Sequence, residues 1–278
     1  MKVGFIGAGR VGSSAAYTLI LLLDLDEVVL VDIAEELARG EALDLTHASY
    51  ALGKPIRIEG GSDYSLLEGC DLIIVSAGAA RKPGMSRLDL LQKNAEIMKD
   101  IARRLRRICG DAVIMAVTNP VDLITYILWR ELDIPRSRIF GMGSILDTAR
   151  LWSIVGRITQ DRVLGEHGDG MFILGENRDL EEAVRSSAME VIKRKGATIY
   201  GPAAAIYRLA KAVLTDSREI LPVSAILEGE YGLKDVAVGV PARIGRKGVI
   251  EIIEIEEARE KLRRSALALR DRLREIGY

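Results

Sequence analysis

Hydrophobic and polar positions in the first half of the chain follow two alternating patterns. Short runs rich in Val, Ile and Leu predict strands at residues 2–6, 27–31, 55–59, 71–76 and 112–118. Longer stretches with a helical period predict helices at residues 10–23, 35–48, 87–109 and 120–132. Several of the strands are apolar throughout, as expected when helices cover both faces of a sheet. The pattern predicts an α/β fold with a doubly wound parallel sheet.

The pattern changes after about residue 143. A predicted helix at 145–155 and a short strand at 162–165 precede a long helical stretch at 180–214, with an expected break near Gly201 and Pro202. Three predicted strands follow, at 220–227, 235–240 and 249–255, and a charged amphipathic helix covers 256–276. Runs of strands beside runs of helices favour a mixed α+β arrangement. We therefore expect two domains, at residues 1–143 and 144–278, with the substrate site in the second.

The composition narrows the function classes. The 278 residues are 49% apolar and 28% charged, which is typical of a protein with a substantial core. A net charge of −1 argues against a general nucleic-acid binder. The apolar run at 17–23 is too short to span a membrane, and the sequence opens with a predicted strand, so we expect no membrane segment, no signal peptide and a cytoplasmic protein. Two cysteines, Cys70 and Cys109, are too few for a zinc cluster.

The numbers of the different basic and amide residues are uneven. Arg makes up most of the 39 basic residues, and Asn and Gln are scarce. Few thermolabile amides and many charges fit heat adaptation, and a GC-rich genome would produce the same bias. Both explanations stay open.

A glycine-rich turn follows the first predicted strand and opens the first helix. Gly7 would permit the tight turn, Gly9 would let the backbone approach a pyrophosphate, and Gly12 would let helix and strand pack closely. The helix N-terminus would then direct unpaired N–H groups at the phosphates. Asp32 ends the second predicted strand, 20 residues beyond Gly12, where a carboxylate would bind ribose hydroxyls and repel a 2′-phosphate. The pattern predicts a Rossmann domain that prefers NAD to NADP.

Six further segments occur in order along the chain. They are 80–87 (ARKPGMSR), 117–120 (VTNP), 145–150 (ILDTAR), 165–169 (GEHGD), 201–205 (GPAAA) and 228–232 (EGEYG). Together with the glycine turn, they resemble the lactate/malate dehydrogenase family over the whole length of the sequence. The resemblance implies a Rossmann domain followed by an α+β substrate domain. It also implies hydride transfer between a 2-hydroxy acid and NAD, without a metal.

The resemblance implies roles for four charged side chains. His167 is similar to the catalytic acid/base of the family, and imidazole is suited to proton exchange near neutral pH. Asp147 resembles the carboxylate that orients this histidine and stabilises its imidazolium. Arg150, three positions later on the same helical face, resembles the arginine that grips the substrate 1-carboxylate in a two-point fork. Arg87 resembles the arginine that polarises the carbonyl oxygen, in a segment (78–87) expected to act as a mobile lid.

Arg81 bears on the choice of substrate. It stands where malate-type members of the family carry arginine and lactate-type members usually carry an uncharged residue. A cation at this position would pair with the second carboxylate of oxaloacetate, whereas pyruvate would leave it without a partner. The resemblance therefore favours malate and oxaloacetate, and a lactate-type or broad 2-hydroxy acid dehydrogenase is the alternative within the family.

The resemblance also extends the cofactor site beyond the turn. The implied NAD-binding residues are Gly7, Gly9, Arg10, Val11, Gly12, Asp32, Ala77, Gly78, Asn94, Val117 and Asn119. Asn119 is also expected to meet the substrate. The second histidine, His47, is expected to be structural or near a subunit contact. Family membership implies a homodimer or a homotetramer, with the predicted helices 10–23 and 35–48 as contact surfaces.

The sequence departs from the family pattern around His167. Sixteen residues separate Arg150 from His167, fewer than usual, and the strand and loop expected after Asp169 are shortened. A displaced His167 would lower activity, so an inactive NAD-binding scaffold stays as a second hypothesis. A third is an NAD-requiring glycosidase, a class that needs a bound metal beside the nicotinamide.

Overall fold

The computed structural model describes residues 1–79 and 87–278, except for the side chain of Arg87. The predictions made for Arg81, and for the side chain of Arg87, lie outside this range. So does most of the segment expected to act as a lid.

The first half of the chain builds a parallel sheet. Its strands are β1 (Lys2–Ile6), β2 (Glu27–Val31), β3 (Arg57–Gly61), β4 (Leu72–Val75), β5 (Val113–Ala116) and β6 (Ile139–Gly141). They lie in the order β3-β2-β1-β4-β5-β6, and every neighbouring pair is parallel. The predicted doubly wound sheet is confirmed, with its strand order reversing between β1 and β4. Ligands of such sheets bind at the carboxyl ends of the strands beside this reversal.

The helices pack on the sheet in two groups. They are α1 (Arg10–Leu22), α2 (Glu35–Ala51), α3 (Arg87–Leu105), α4 (Val121–Leu132), α5 (Ser144–Val155), α6 (Glu181–Lys195), α7 (Tyr200–Leu214) and α8 (Arg259–Glu275). Helix α1 contacts α2 and α7, whereas α4 contacts α3 and α8. All residues of β4 and β5 are buried, as their uninterrupted apolar sequences predict. Within the described ranges, none of the helices has the length and apolar character needed to cross a membrane.

The second half of the chain extends the same sheet. Its strands are β7 (Arg162–Gly165), β8 (Met171–Leu174), β9 (Ile220–Glu228), β10 (Lys234–Gly245) and β11 (Gly248–Ile252). Strand β9 pairs antiparallel with β6, where Phe140 faces Ala225 and Gly141 faces Ser224. Beyond β9 the order continues through β10 and β7 to β8, and β11 pairs with β10. The mixed α+β second half is thus joined to the parallel sheet edge to edge, and the domain limits at residues 143 and 144 stay a prediction.

Several details differ from the sequence prediction. The break in the long helical stretch lies at residues 196–199, because Gly196 adopts a left-handed conformation (φ +86°) that ends α6. The break expected near Gly201 and Pro202 thus lies a few residues before them, and both residues belong to the first turn of α7, where the missing N–H of proline costs no helical hydrogen bond. Strand β6 has three residues, too few to show a period, and β8 lies in the segment where the sequence indicates a shortened strand and loop.

Candidate active site

The glycine turn adopts the geometry that the sequence predicts. Gly7 has a φ of +104°, a conformation that L side chains rarely adopt. A Cβ atom on Gly12 would lie 2.0 Å from the carbonyl oxygen of Gly7, so the first turn of α1 packs directly on the strand end. Gly7 also donates its N–H to the carbonyl oxygen of Val31 at 2.8 Å. The turn is therefore held between β1, β2 and α1.

Open space lies next to Gly9. A Cβ atom built on this residue would meet nothing within 4 Å, and Gly9 and Arg10 are both exposed, with Val11 half-buried. Gly9 is the N-cap of α1 and supplies no side-chain hydrogen bond to the first helical turn. The N–H groups of this turn are thus available to an anion. The residues present fit the pyrophosphate of a dinucleotide.

Asp32 ties the end of β2 to the glycine turn. One carboxylate oxygen accepts the N–H of Ala8 at 2.8 Å, and the other accepts the N–H of Ala34 at 2.9 Å. The side chain therefore fixes the turn, a role that the sequence analysis did not predict. Each carboxylate oxygen has a second lone pair, and the residue is only half-buried, so it also fits the predicted contact with ribose hydroxyls.

Asn94 joins the loops that follow β4 and β5. It is 1% exposed and lies on α3. Its Oδ1 accepts the N–H of Ala79 at 2.8 Å, and its Nδ2 donates to the carbonyl oxygen of Asn119 at 2.8 Å. Both ends of this side chain are bonded within the protein, so Asn94 positions the loops that border the cofactor edge.

The predicted cofactor residues Ala77, Gly78 and Val117 lie just after the ends of β4 and β5. Ala77 donates its N–H to the carbonyl oxygen of Ile6 at 2.8 Å, which places it beside the glycine turn. Thr118 donates its hydroxyl to the carbonyl oxygen of Ala77 at 2.6 Å, and a Cβ atom on Gly78 would lie 2.4 Å from the Thr118 methyl group. Val117 is buried behind them. These contacts place the loops that follow β4 and β5 side by side, next to the glycine turn.

A cavity of about 740 Å³ lies at the end of this edge beside Asn119. Four residues that the sequence analysis singled out contribute to its wall: Asn119, Asp147, Arg150 and His167. Helix α6 supplies another part of the wall through Arg185 and neighbouring residues, which the sequence showed only as helix. Residues far apart in the sequence therefore share one space.

His167 lies in a short hairpin connection. Strands β7 and β8 pair antiparallel, with Gly165 facing Met171, so residues 166–170 form the turn between them. Nδ1 of His167 is 2.5 Å from Oδ2 of Asp147, which lies in the first turn of α5. This contact leaves Nε2 as the ring nitrogen that can meet a ligand.

Arg150 and His167 share Asp147 as their partner. Arg150 Nη1 donates to Asp147 Oδ1 at 2.8 Å, one helical turn along α5. This contact uses a single nitrogen of the guanidinium, so its other nitrogens are left for a carboxylate in the cavity. The side chain of Asp147 is only 4% exposed and that of His167 is 13% exposed. A cationic group and an imidazole are therefore held at fixed positions around one buried acid.

Burial and charge act in opposite directions on this pair. Burial disfavours the charged form of His167, but the negative charge of Asp147 and its hydrogen bond outweigh it, and the pKa of His167 is raised above its ordinary value. Burial likewise acts against ionised Asp147, yet His167 and Arg150 lower the pKa of this carboxyl. The structure thus favours an imidazolium beside a carboxylate.

Helix α8 and the hairpin turn are bonded to each other. Ser265 Oγ accepts the N–H of Glu166 at 2.7 Å, and the Glu166 carboxylate accepts the N–H of Gly170 at 3.1 Å and pairs with Arg272. Glu166 stood inside the motif around His167, but its partners lie about 100 residues later in the sequence. Sequence spacing alone gives no signal for such contacts.

The other candidates lie elsewhere. His47 is exposed on α2, and Cys70 and Cys109 are buried and unpaired in disulfides. Burial raises the pKa of the Cys70 thiol to about 12, against the reactivity of a catalytic cysteine. Across residues 1–79 and 87–278, we find no group of three His, Cys, Asp or Glu residues that would hold a metal ion.

Comparisons with known proteins match both halves of the chain to one family. Residues 1–141 match the lactate/malate dehydrogenase, NAD binding domain, and residues 172–277 match the lactate/malate dehydrogenase, alpha/beta C-terminal domain. A malate dehydrogenase of Archaeoglobus fulgidus is 53% identical over 294 aligned positions and covers 100% of both chains. An L-lactate dehydrogenase 2 of Bacillus cereus is 40% identical over 92% of this chain and 90% of that protein.

Solved structures give the same result. The malate dehydrogenase from Archaeoglobus fulgidus in complex with NADH has a TM-score of 0.96 at 53% identity, covering 100% of both chains. The malate dehydrogenase from Aeropyrum pernix has a TM-score of 0.91 at 33% identity, over 98% of this chain and 97% of that one. Identity at this level over the whole length, with both halves matched by domains of one family, settles the membership. The chain belongs to the lactate/malate dehydrogenase family.

Proposed function

We propose that the protein is an NAD-dependent malate dehydrogenase, which interconverts (S)-malate and oxaloacetate. The observation that carries this proposal is the buried contact between His167 and Asp147, with Arg150 on the same cavity wall. The 53% identity to the Archaeoglobus malate dehydrogenase supports malate as the substrate. The glycine turn, with open space at Gly9, supports NAD as the cofactor.

His167 is the proton donor and acceptor of the proposed reaction. Bound NADH supplies the hydride that is transferred to the carbonyl carbon of oxaloacetate. The C=O π bond breaks as this C–H bond forms, and the carbonyl oxygen takes a proton from Nε2 of His167 to become the hydroxyl of malate. In the reverse direction Nε2 accepts the hydroxyl proton. The raised pKa of His167 keeps a proton available for reduction near neutral pH.

The neighbouring side chains orient the substrate and the imidazole. Asp147 holds Nδ1 of His167, so that Nε2 faces the cavity, and its charge stabilises the imidazolium. Arg150 binds the substrate 1-carboxylate through the guanidinium nitrogens that Asp147 does not use. Asn119 lies between the cofactor edge and the cavity and is proposed to contact both the substrate and the cofactor.

Arg81 and Arg87 complete the proposed site. Arg87 is proposed to stabilise the negative charge that develops on the carbonyl oxygen. Arg81 is proposed to bind the second carboxylate of oxaloacetate, because a cation left without this partner would disfavour pyruvate. The lactate dehydrogenases among the relatives keep a lactate-type activity as the alternative within the family.

A second copy of the chain is proposed to pack on α1 and α2. A groove of about 520 Å³ lies between these helices and α7, and large side chains stay exposed along it, with Tyr17 at 43%, Leu21 at 41% and Tyr200 at 75%. An apolar surface of this kind usually marks an interface. Sedimentation of the purified protein distinguishes a homodimer or homotetramer from the monomer that would contradict this assignment.

The cellular setting of the enzyme is also a proposal. Two reduced, buried cysteines suit a reducing compartment, and we propose the cytoplasm as the place of action. Cell fractionation followed by immunodetection tests this, and recovery of the protein outside the cytoplasmic fraction would contradict it.

The purified protein tests the proposed reaction directly. We expect NADH-dependent reduction of oxaloacetate, which is measured as the loss of NADH absorbance. His167→Gln should lower kcat by about 10²–10⁴-fold because general acid catalysis is lost. His47→Gln, which changes the exposed histidine on α2, should leave kcat unchanged. Equal rates in the two variants, or no reduction of oxaloacetate by the unchanged protein, would refute the proposal.

The pH dependence follows from the His167–Asp147 contact. Reduction needs protonated His167, so kcat/KM for oxaloacetate falls as the pH rises through the raised pKa of this histidine. Asp147→Asn removes the opposing charge. We expect this fall to move to lower pH, with kcat reduced by about 10²–10⁴-fold because the ring loses its orientation. Asp161→Asn, which changes another buried aspartate that bonds the N–H of Glu176, is the control and should keep the original profile.

Substitutions of two glycines distinguish an effect on cofactor binding from an effect on the free energy of unfolding. Gly9→Ala places a methyl group in open space, so the folded chain is little affected, and we expect the Kd for NADH to rise about tenfold, or about 1.4 kcal/mol. Gly12→Ala forces a Cβ atom against the Gly7 carbonyl, and overpacking of this kind costs about 1–3 kcal/mol of unfolding free energy. Fluorescence titration with NADH and urea denaturation measure the two effects. Unchanged NADH affinity in Gly9→Ala would mean that the phosphates lie elsewhere.

Substitution of Arg81 tests the choice of substrate. Arg81→Gln removes the proposed partner of the second carboxylate, and we expect the ratio of kcat/KM for oxaloacetate to that for pyruvate to fall at least about 10³-fold. Lys82→Gln removes a neighbouring positive charge from the same segment and should leave this ratio near its original value. A ratio that hardly moves in Arg81→Gln would show that this residue does not select the substrate.

A further inference from the structure

A second buried aspartate contacts His167, through the main chain of the histidine and not through its ring. The sequence did not predict this contact. Asp122 lies in the first turn of α4 and is 2% exposed. Its Oδ2 accepts the main-chain N–H of His167 at 2.7 Å, and its Oδ1 accepts the hydroxyl of Ser224 at 2.6 Å. Ser224 belongs to β9, next to the junction with β6. One carboxylate thus joins α4, β9 and the hairpin turn.

We propose that Asp122 is a positioning residue for His167, fixing its main chain while Asp147 fixes its ring. This assignment rests on the proposed role of His167 in proton transfer. Asp122 has no place on the wall of the substrate cavity, and it acts only through the residue that it holds. Asp122 lies two residues after Pro120, which is the last residue of the segment 117–120. This location in the sequence gives no indication of its role.

The geometry explains why two acids are needed. A histidine side chain has two rotatable bonds, and a hydrogen bond to Nδ1 alone restrains the ring without fixing the backbone from which it projects. Asp122 supplies the second restraint, and Ser224 in turn fixes Asp122. Catalytic groups must be held within about 0.5 Å of their working positions, and misplacement by about 1 Å costs roughly 10²-fold in rate.

The position also carries a charge. Burial raises the pKa of Asp122 to about 6, against the hydrogen bonds from Ser224 and from the main chain of His167, which favour the ionised form. The ionisable groups that act on it are His167, whose positive charge favours the carboxylate, and Glu166, whose negative charge opposes it. Ionised Asp122 in turn helps to raise the pKa of His167. The bond and the charge can be separated by experiment.

Two substitutions make this separation. Asp122→Asn keeps an oxygen that accepts the N–H of His167 and gains an NH₂ group that donates to the Ser224 oxygen, but it loses the charge. Asp122→Ala loses both the bond and the charge. Thr125→Val is the matched control, since Thr125 lies one turn later on α4, is equally buried and bonds only within the helix, to the carbonyl oxygen of Val121 at 2.7 Å.

The first measurement is steady-state kinetics of oxaloacetate reduction. We expect Asp122→Ala to lower kcat about 10²-fold while KM for NADH stays within about twofold of the original, because the cofactor edge is untouched. Asp122→Asn should keep kcat within about fivefold, because the bond to His167 persists. Equal losses of kcat in the Asn and Ala variants would overturn the proposal, and so would an Ala variant with unchanged kcat.

The second measurement is independent of activity. The sequence contains two histidines, so NMR titration of ¹³C-labelled imidazoles reports His167 directly, with exposed His47 as an internal reference. We expect His167 to titrate at lower pH in Asp122→Asn, whereas His47, and both histidines of Thr125→Val, should titrate as in the original protein. An unchanged His167 titration in both Asp122→Asn and Asp122→Ala, the second of which loses the bond as well as the charge, would overturn the proposal. This result is obtained even if the protein proves not to reduce oxaloacetate, so the two failures are distinguishable.

A milder variant covers the case in which Asp122→Ala does not fold. Ser224→Ala leaves the carboxylate bonded to His167 and removes only the restraint on its other oxygen. We expect a several-fold loss of kcat, largest below neutral pH, where the raised pKa lets Asp122 become protonated. A Ser224→Ala variant with the original kcat and the original His167 titration would count against the proposal.

Discussion

The buried contact between His167 and Asp147 is the interaction on which the rest of the site depends. An acid and an imidazole removed from water attract each other more strongly than on the surface, but each would be costly to bury alone. The structure meets this constraint by giving Asp147 a second partner, Arg150, and by placing all three at the wall of one cavity. Burial of the pair costs desolvation free energy, and the same burial holds the proton of His167 at a defined position.

The fold supplies the rigidity that this contact requires. Asp147 projects from α5, whereas His167 projects from the turn of a short hairpin, so their 2.5 Å separation depends on how α5 packs against β7. The antiparallel pairing of β6 with β9 joins the two halves of the chain within one sheet, and α4, from the first half, packs across β6, β9 and β10 and holds the main chain of His167 through Asp122. The turn itself is bonded to α8 through Ser265 and Arg272. Elements from both halves therefore determine the position of one ring.

Local signals in the sequence were sufficient for the parallel sheet and the glycine turn, whereas the pairing of His167 with Asp147 was implied by the family resemblance. They were insufficient for β6, which is too short to show a period, and for the exact position of the helix break, which the left-handed Gly196 sets a few residues before Pro202. The roles of Asn94 and Glu166 depend on partners brought close only by the folded chain. Patterns within a segment predict that segment's structure, whereas contacts between segments need the tertiary fold.

The shortened segments around His167 gain a physical explanation from these contacts. A long loop would leave the imidazole mobile, and ordering it would cost conformational entropy each time substrate binds. A turn of residues 166–170 closed by the pairing of Gly165 with Met171 removes most of that freedom before binding. Hydrogen bonds from neighbouring helices stabilise the short turn in place of packing within the turn itself. Trimming of the chain and retention of a defined active site are thus compatible, because the restraints come from tertiary contacts and not from the length of the flanking segments.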